Sequence, residues 1–244
     1  MAPHKIETVA RAVYRETKEF YERIRPRLGD ADFGYRILYG PPMLRPPAMF
    51  IGIRPGGRED DRAHLDEREI WPSQSDYALA GWQFATRLQR IFTTDFLHRC
   101  TGTNESFLRG PTETEYERLL VDSKRTVEEI REFCRPHVWQ LVRAFEPAHV
   151  IFIGLAAFRR LTGRGVVVHR SQKNGNPLVE SATFAGRPAI GVPHFSTPLN
   201  SDELVIVNAC LFGLESPQVP PVNLAEASRS RVSRLPAKGN KPPA

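Results

Sequence analysis

Three short polar segments carry the side chains best suited to chemistry, and each follows an apolar run. They are GIRPGG at 52–57, TNES at 103–106 and PHFSTPL at 193–199. The first places Arg54 in a glycine-rich loop, the second offers the amide of Asn104, and the third offers the imidazole of His194. An amide donates and accepts hydrogen bonds at once, and an imidazole exchanges protons near neutral pH. These three residues are therefore the first candidates for a site.

Each candidate also has an ordinary structural explanation. Glycines at the end of a strand often serve only the turn, a single asparagine is commonly a turn residue, and a lone histidine is more often structural than catalytic. The loop at 52–57 matches neither the GxGxxG dinucleotide fingerprint nor the GK[ST] ending of a P-loop. No single segment is therefore evidence for a functional site, and only the three together indicate one.

Apolar periodicity predicts the elements that position these segments. Helices are predicted at 5–28, at 79–93, over 113–145 with a break near Pro136, after a strand at 150–153, and from a Ser201 cap onward. Further strands are predicted at 48–53, within 94–110, at 165–169 and within 187–200. Strands that alternate with helices favour a parallel sheet covered on both faces. The loops that follow such strands share one edge, so we expect 52–61, 101–110 and 193–200 to meet there.

The composition is that of a globular protein, with 41% hydrophobic and 25% charged residues among 244. No apolar run reaches the length of a membrane helix, and the first residues lack the pattern of a signal peptide. Three cysteines without a CxxC pair favour a reducing compartment, so we expect a cytoplasmic protein that binds no membrane.

The positive charge is concentrated at the C-terminal end. Residues 225–244 carry five basic residues and one acidic residue, a net charge of +4 out of +6 for the whole chain. Such a basic segment suits a polyanion such as DNA, and a solvated disordered tail explains it equally well. We therefore expect one domain over 1–224 and a disordered tail over 225–244.

The segments, in their order, resemble motifs of the uracil-DNA glycosylase superfamily between about residues 45 and 200. GIRPG at 52–56 is similar to the first motif of that family and differs by one letter from its GINPG form. TNESFLRGP at 103–111 resembles the TNVVKCRPP segment of the iron–sulfur branch, and 134–161 resembles its helix–strand–helix segment. PHFSTPL at 193–199 is similar to the second motif, HPSP or HPAAL, with one extra residue.

The resemblance implies a role for each segment in cleaving the N-glycosidic bond of a base flipped out of DNA. Asn104 would accept from N3–H of uracil and donate to O4, and His194 would donate to O2 of the leaving base. Residues on the loops that follow the strands would contact the substrate: Gly52, Ile53, Pro55, Gly56, Ser196, Thr197 and Leu199. The last three would press into the minor groove.

The resemblance also implies an aromatic residue that stacks on the base. Tyr77 is the leading candidate and Trp71 and Trp82 are rivals, although any of them is equally explained as core. No cofactor or metal is expected: Cys134 matches one ligand position of the iron–sulfur branch, but Leu108 occupies another. Cys134 is then an ordinary buried residue of a helix.

Arg54 stands where the family has an aspartate or asparagine that places the attacking water. A guanidinium stays protonated and cannot act as a base. Three explanations are open. Arg54 binds a phosphate or a carboxylate while another acid handles the water; the enzyme relies on stabilising the leaving group; or the protein binds DNA without cutting it. The acids near this loop in sequence are Glu59, Asp60, Asp61 and Asp76.

The sequence therefore predicts a three-layer α/β/α domain with a central, mainly parallel four-stranded sheet, of the uracil-DNA glycosylase type. The predicted function is hydrolysis of uracil or a related deaminated base from DNA. A DNA- or lesion-binding protein on the same scaffold is the first alternative. A hydrolase of free nucleosides or nucleotides, which would not need the basic tail, is the second.

Overall fold

The computed structural model describes residues 3–57, 71–111, 113–120, 122–163 and 165–214. Its helices are α1 (Pro3–Leu28), α2 (Asp76–Leu79), α3 (Gln83–Gln89), α4 (Thr94–His98), α5 (Glu113–Leu119), α6 (Ser123–Phe145), α7 (Leu155–Thr162) and α8 (Ser201–Phe212). Its strands are β1 (Ala48–Gly52), β2 (Thr101–Asn104), β3 (His149–Ile153), β4 (Val166–Arg170), β5 (Pro177–Phe184) and β6 (Arg187–Val192). A short 3₁₀ turn, Gly29–Ala31, follows α1.

Within these residues the strands form one mixed sheet of six, in the order β2-β1-β3-β6-β5-β4. The pairs β1–β2, β1–β3 and β3–β6 are parallel, whereas β5 pairs antiparallel with both β4 and β6. The α/β class is confirmed, but the prediction of four strands is wrong. The additional strand β5 and its neighbour β4 extend the parallel part as an antiparallel meander.

Two cores lie on opposite faces of the sheet because consecutive strand residues point to opposite sides. Met49 and Ile51 of β1 join the core formed with α1 and α6, while Ala48 and Phe50 join the core formed with α3, α4 and α8. Helices therefore cover both faces.

Several predicted boundaries differ from the observed ones. The break expected at Pro136 lies instead between α5 and α6, where Asp122 adopts a left-handed conformation with φ of 49°. The segment 94–98 is a helix rather than strand or loop, because Thr93 caps it by accepting from the Phe96 N–H. The cap of α8 is Asn200 and not Ser201. Asn200 forms a reciprocal capping box with Glu203.

The four parallel strands end along one edge of the sheet, with Gly52, Asn104, Ile153 and Val192 as their last residues. The segments that follow β1, β2 and β6 therefore start from the same edge, as the sequence predicts. The second of these begins beside the first, because Gly52 and Asn104 are partners in the β1–β2 pair.

Candidate functional site

Asn104 and Gly52 are packed against each other at the ends of neighbouring strands. Asn104 is 5% exposed, and a Cβ atom built on Gly52 would lie 2.3 Å from its Oδ1 atom. Such a separation is far below van der Waals contact, so only glycine leaves room for the amide in this position. The first and second segments of the sequence prediction thus form one local structure.

Tyr39 holds the amide from the other side. The Asn104 Nδ2 atom donates to the Tyr39 hydroxyl over 3.0 Å, and the Tyr39 N–H donates to the Gly102 carbonyl over 3.0 Å. Sequence reasoning missed Tyr39, which lies in a segment read only as a loop leading to β1. Its aromatic character was the sole signal there, because its role arises from a contact 65 residues away along the chain.

His194 follows β6, and its contact with Ser196 defines the tautomer of its neutral ring. The Ser196 N–H donates to His194 Nδ1 over 3.2 Å, and the Ser196 hydroxyl lies 2.7 Å from the same atom. A backbone N–H can only donate, so Nδ1 is an acceptor and the neutral ring carries its proton on Nε2. Burial, and secondarily the charge of Arg87, lower the pKa of His194 below 6.5. His194 is therefore a neutral ring with an Nε2–H donor at neutral pH.

The loop after His194 is compact. The Thr197 N–H donates to the His194 carbonyl over 2.8 Å, and the Ser196 and Thr197 side chains are exposed. Leu199 is partly buried against the second core. Ser196 and Thr197 are thus available to a ligand, whereas Leu199 contributes to packing.

An aromatic cluster connects the surroundings of Asn104 with those of His194. Trp82 lies 5.7 Å from Tyr39 and 5.6 Å from Phe84 between ring centroids, and Phe84 lies 5.2 Å from Phe195. Trp82, Phe84 and Phe195 are each partly exposed. They present a partly exposed aromatic surface beside Tyr39.

Tyr77 and Trp71 occupy different positions from those expected. Tyr77 is 2% exposed, its ring packs against Tyr39 and Phe50, and burial raises the pKa of its hydroxyl. It is a core residue below the cluster, so its predicted role as the stacking surface is not supported. Trp71 packs edge-on against Tyr14 of α1, in the first core.

Arg54 lies on the side of the loop that faces α5 and α6. Its Cζ atom stands 3.8 Å from the centroid of the Tyr116 ring, and its Nε and Nη1 atoms are buried. Together with Glu105 and Ser106, Arg54 and Tyr116 line a cavity of about 10 Å³, enough for one water molecule. Tyr116 belongs to the first core and Tyr39 to the second. The Arg54 side chain therefore packs into the opposite face from Tyr39.

The strand pairing continues past β1 and β2 and explains this direction. The Glu105 and Ser106 N–H groups donate to the carbonyls of Gly52 and Ile53, and the Gly110 N–H donates to that of Pro55. A bridge then joins Gly56 to Gly110. The glycine-rich loop is thus an extended segment held along its length.

Two acidic residues in the described part of the site are paired with guanidinium groups. Asp76 forms an ion pair with Arg36, whose Cζ atom lies 4.4 Å from the centroid of the Tyr39 ring. Glu105 receives two hydrogen bonds of 2.6 Å from Arg160. The ion pair with Arg36 engages the Asp76 carboxylate, which disfavours Asp76 as the group that activates water. Glu59, Asp60 and Asp61 lie outside the described residues.

Comparison with known proteins assigns no family: no family model matches the sequence, and a search of curated proteins gives no significant match. The site is therefore interpreted from its own geometry.

Cys134 packs as an interior residue of α6. It is 1% exposed, accepts from the Phe107 N–H over 3.4 Å, and burial raises the pKa of its thiol to about 12. Over the described ranges, no group of three His, Cys, Asp or Glu side chains is placed to hold a metal ion. Nor does any helix in those ranges have the length and apolar character needed to cross a membrane.

Proposed function

We propose that this protein is a monofunctional DNA glycosylase that releases uracil or a related deaminated base. We further propose that its domain is a variant of the uracil-DNA glycosylase fold in which two antiparallel strands extend the sheet. The observation that carries the proposal is the neutral His194, whose Nδ1 accepts from the Ser196 N–H and whose proton lies on Nε2.

His194 suits the stabilisation of a departing base. When the N-glycosidic bond breaks, the base takes the bonding electron pair and its negative charge spreads onto O2. A neutral Nε2–H donor can meet that oxygen, and a preorganised donor of this kind contributes about 3 kcal/mol to lowering the barrier. Ser196 keeps the proton of the neutral ring on Nε2 because the Ser196 N–H donates to Nδ1.

Asn104 suits recognition of the base. One Nδ2 hydrogen is directed to the Tyr39 hydroxyl, which leaves the second hydrogen and the Oδ1 lone pairs for a ligand. Uracil presents a donor at N3 beside an acceptor at O4, and one amide matches both. Trp82 and Phe84 supply aromatic surface next to Tyr39 for stacking.

The attacking water needs a carboxylate that positions or activates it, and the segment around Arg54 in the described structure does not supply one. Arg54 packs on Tyr116, and Asp76 is paired with Arg36. The proposal therefore assigns the water to one of Glu59, Asp60 and Asp61. Each of the three is to be replaced by its amide in a separate variant. The variant that lacks the water-positioning carboxylate should lose base release while it keeps DNA binding.

Incubation with a uracil-containing oligonucleotide, followed by alkaline cleavage at abasic sites, tests the activity. We expect strand scission on single- or double-stranded substrate, and its loss in Asn104→Ala and His194→Gln. His169→Gln is the matched control, because His169 is also partly buried with a lowered pKa but lies on β4, at the far edge of the sheet. Absence of scission from the unmodified protein on both substrates would refute the glycosylase.

A lesion-binding protein that does not cut is the second candidate, and the position of Arg54 favours it. Where the enzymes that this sequence resembles carry an acid or an amide, this chain has a cation packed on an aromatic ring. This candidate predicts salt-sensitive binding to uracil-containing DNA without release of base. Fluorescence anisotropy on the same oligonucleotide separates the two candidates.

A further inference from the structure

A groove lies between α6, the end of α7 and the turn that joins β5 to β6. It has a volume of about 450 Å³, and its lining includes Arg135, Pro136, Trp139, Leu161, Phe184 and Ala185. Ala185 lies in the two-residue turn between Phe184, the end of β5, and Arg187, the start of β6, so the groove is near the end of the sheet at which the parallel strands begin. The candidate site is at the other end, about 20 Å away along six strand residues.

The rim of this groove carries an exposed aromatic residue between two cations. Trp139 is 42% exposed, although residues of this kind are usually covered. Arg135 and Arg143 are four residues before and after it, on the same face of α6. Arg143 lies over the Trp139 ring with 4.6 Å from Cζ to the centroid. Exposed tryptophan and arginine are the residue types that dominate binding energy in protein interfaces.

The charged residue in the described lining of the groove is Arg135, and Arg143 lies on the adjacent Trp139 ring, whereas Glu132 and Glu146 flank this stretch of α6. Residues 133–145 of α6 include Arg135 and Arg143 and no acidic residue. The lining that the structure describes adds two threonines, Thr162 and Thr183, and otherwise apolar residues. Complementary charge would come from carboxylates, and an apolar side chain would fill the concave floor.

We propose that this groove binds an acidic peptide segment of a partner protein, anchored by one large apolar side chain. Arg135 and Arg143 are about 12 Å apart along the helix axis. Two acidic residues four positions apart in an extended peptide span about 13 Å, with the central residue facing the groove. The expected motif is therefore acidic–x–apolar–x–acidic.

A peptide fits this surface better than a nucleic acid does. Arg143 already covers one face of the Trp139 ring, so a base would have to displace it in order to stack there. A carboxylate can pair with Arg143 while the guanidinium stays on the ring. The floor formed by Leu161, Phe184 and Ala185 favours an aliphatic or aromatic side chain over a charged backbone.

Selection from a displayed library of random short peptides against the full chain tests the proposal. We expect enriched sequences to share the acidic–x–apolar–x–acidic motif. A synthetic peptide from that set should bind at least about tenfold more weakly to Trp139→Ala and to Arg135→Glu/Arg143→Glu. Binding should also weaken as salt is raised. Phe212→Ala is the matched control, because Phe212 is also exposed, at 59%, but lies on α8.

Three results would overturn the proposal. The first is a selection that enriches no motif, or one that is basic or neutral. The second is an oligothymidine that binds here with the same dependence on Trp139, which would make the groove a nucleic-acid surface. The third is displacement of the selected peptide by a synthetic peptide of residues 215–228, which would assign the groove to the chain's own C-terminal part. Base release should be unchanged in Trp139→Ala, so this test is independent of the proposed activity.

Discussion

The Oδ1 atom of Asn104 fills the space in which a side chain at position 52 would begin. A Cβ atom on Gly52 would approach it to 2.3 Å, and the two residues are partners across β1 and β2. The pairing of two strands thus places the Asn104 amide. Gly52 acts through Asn104 and not through chemistry of its own.

Gly52→Ala should therefore displace the Asn104 amide. We expect base release to fall by at least about tenfold, and stability to fall by about 1–3 kcal/mol because the added methyl group overpacks a buried position. Gly56→Ala is the control within the same loop, since its added Cβ would meet nothing within 4 Å. Single-turnover rates and urea denaturation of both variants measure the two effects. Equal losses in both variants would contradict a specific role for Gly52.

Tyr39→Phe should weaken catalysis through Asn104. The change removes the acceptor of the Asn104 Nδ2 hydrogen bond and lowers stability by about 1 kcal/mol, the usual net value of such a bond. We expect a lower kcat with a smaller change in KM if the amide is misoriented in the transition state. Tyr116→Phe is the control, because the Tyr116 hydroxyl is buried without a hydrogen-bond partner. A larger loss of activity in Tyr116→Phe than in Tyr39→Phe would refute the positioning role.

The sequence predicts the parts of the fold whose signals are local. The apolar runs at 48–51 and 150–153 form the central parallel strands, and the segments after β1, β2 and β6 start from one edge of the sheet. Strand β5 was missed because its sequence PLVESATF contains a glutamate within an apolar pattern. In the fold Glu180 is 3% exposed and is paired with Arg159 of α7. This ion pair compensates for the burial of the Glu180 carboxylate, and it joins two elements in the fold, so the sequence around β5 does not indicate it.

The face of the sheet toward which the Arg54 side chain points likewise could not be predicted from the residues next to it in sequence. The hydrogen bonds between Pro55 and Gly110, and between Ile53 and Ser106, hold the loop as an extended segment. This alternation sends Arg54 toward Tyr116, in the face opposite Tyr39. Sequence spacing shows which residues share a loop, but the side of the sheet that each one faces depends on a partner segment some 50 residues later.

Arg54→Ala should be mainly a stability variant. Loss of the buried guanidinium over Tyr116 is expected to lower the free energy of unfolding by about 1–2 kcal/mol. The rate of base release should change by less than about threefold, well below the effect of removing a catalytic group. Arg36→Ala is the matched comparison, since Arg36 also lies over a tyrosine ring but next to Asn104 through Tyr39. That variant should lose activity.

A double-mutant cycle of Arg54→Ala with Tyr116→Leu checks the origin of the stability effect. A coupling energy of about 0.5–2 kcal/mol is expected if the ring contact is responsible. A coupling energy near zero would show that the ring contact is not the origin of the stability effect. A loss of base release of a hundredfold or more in Arg54→Ala would instead show that Arg54 is a catalytic residue, because removal of a general acid or base has an effect of about that size.

His194 should give the pH–rate profile an acid limb below pH 6.5. Burial, followed by the charge of Arg87, lowers its pKa below 6.5, so the ring stays neutral above that pH and becomes charged as pH falls through the folded value. Protonation of Nδ1 then opposes the Ser196 N–H, so both activity and the loop's contribution to stability are present above pH 6.5 and lost on acidification. Arg87→Gln should raise the pKa and move the acid limb upward, whereas Arg90→Gln should not. NMR titration of the His194 ring measures this directly, and a wild-type pKa above 6.5 would contradict the assigned neutral donor.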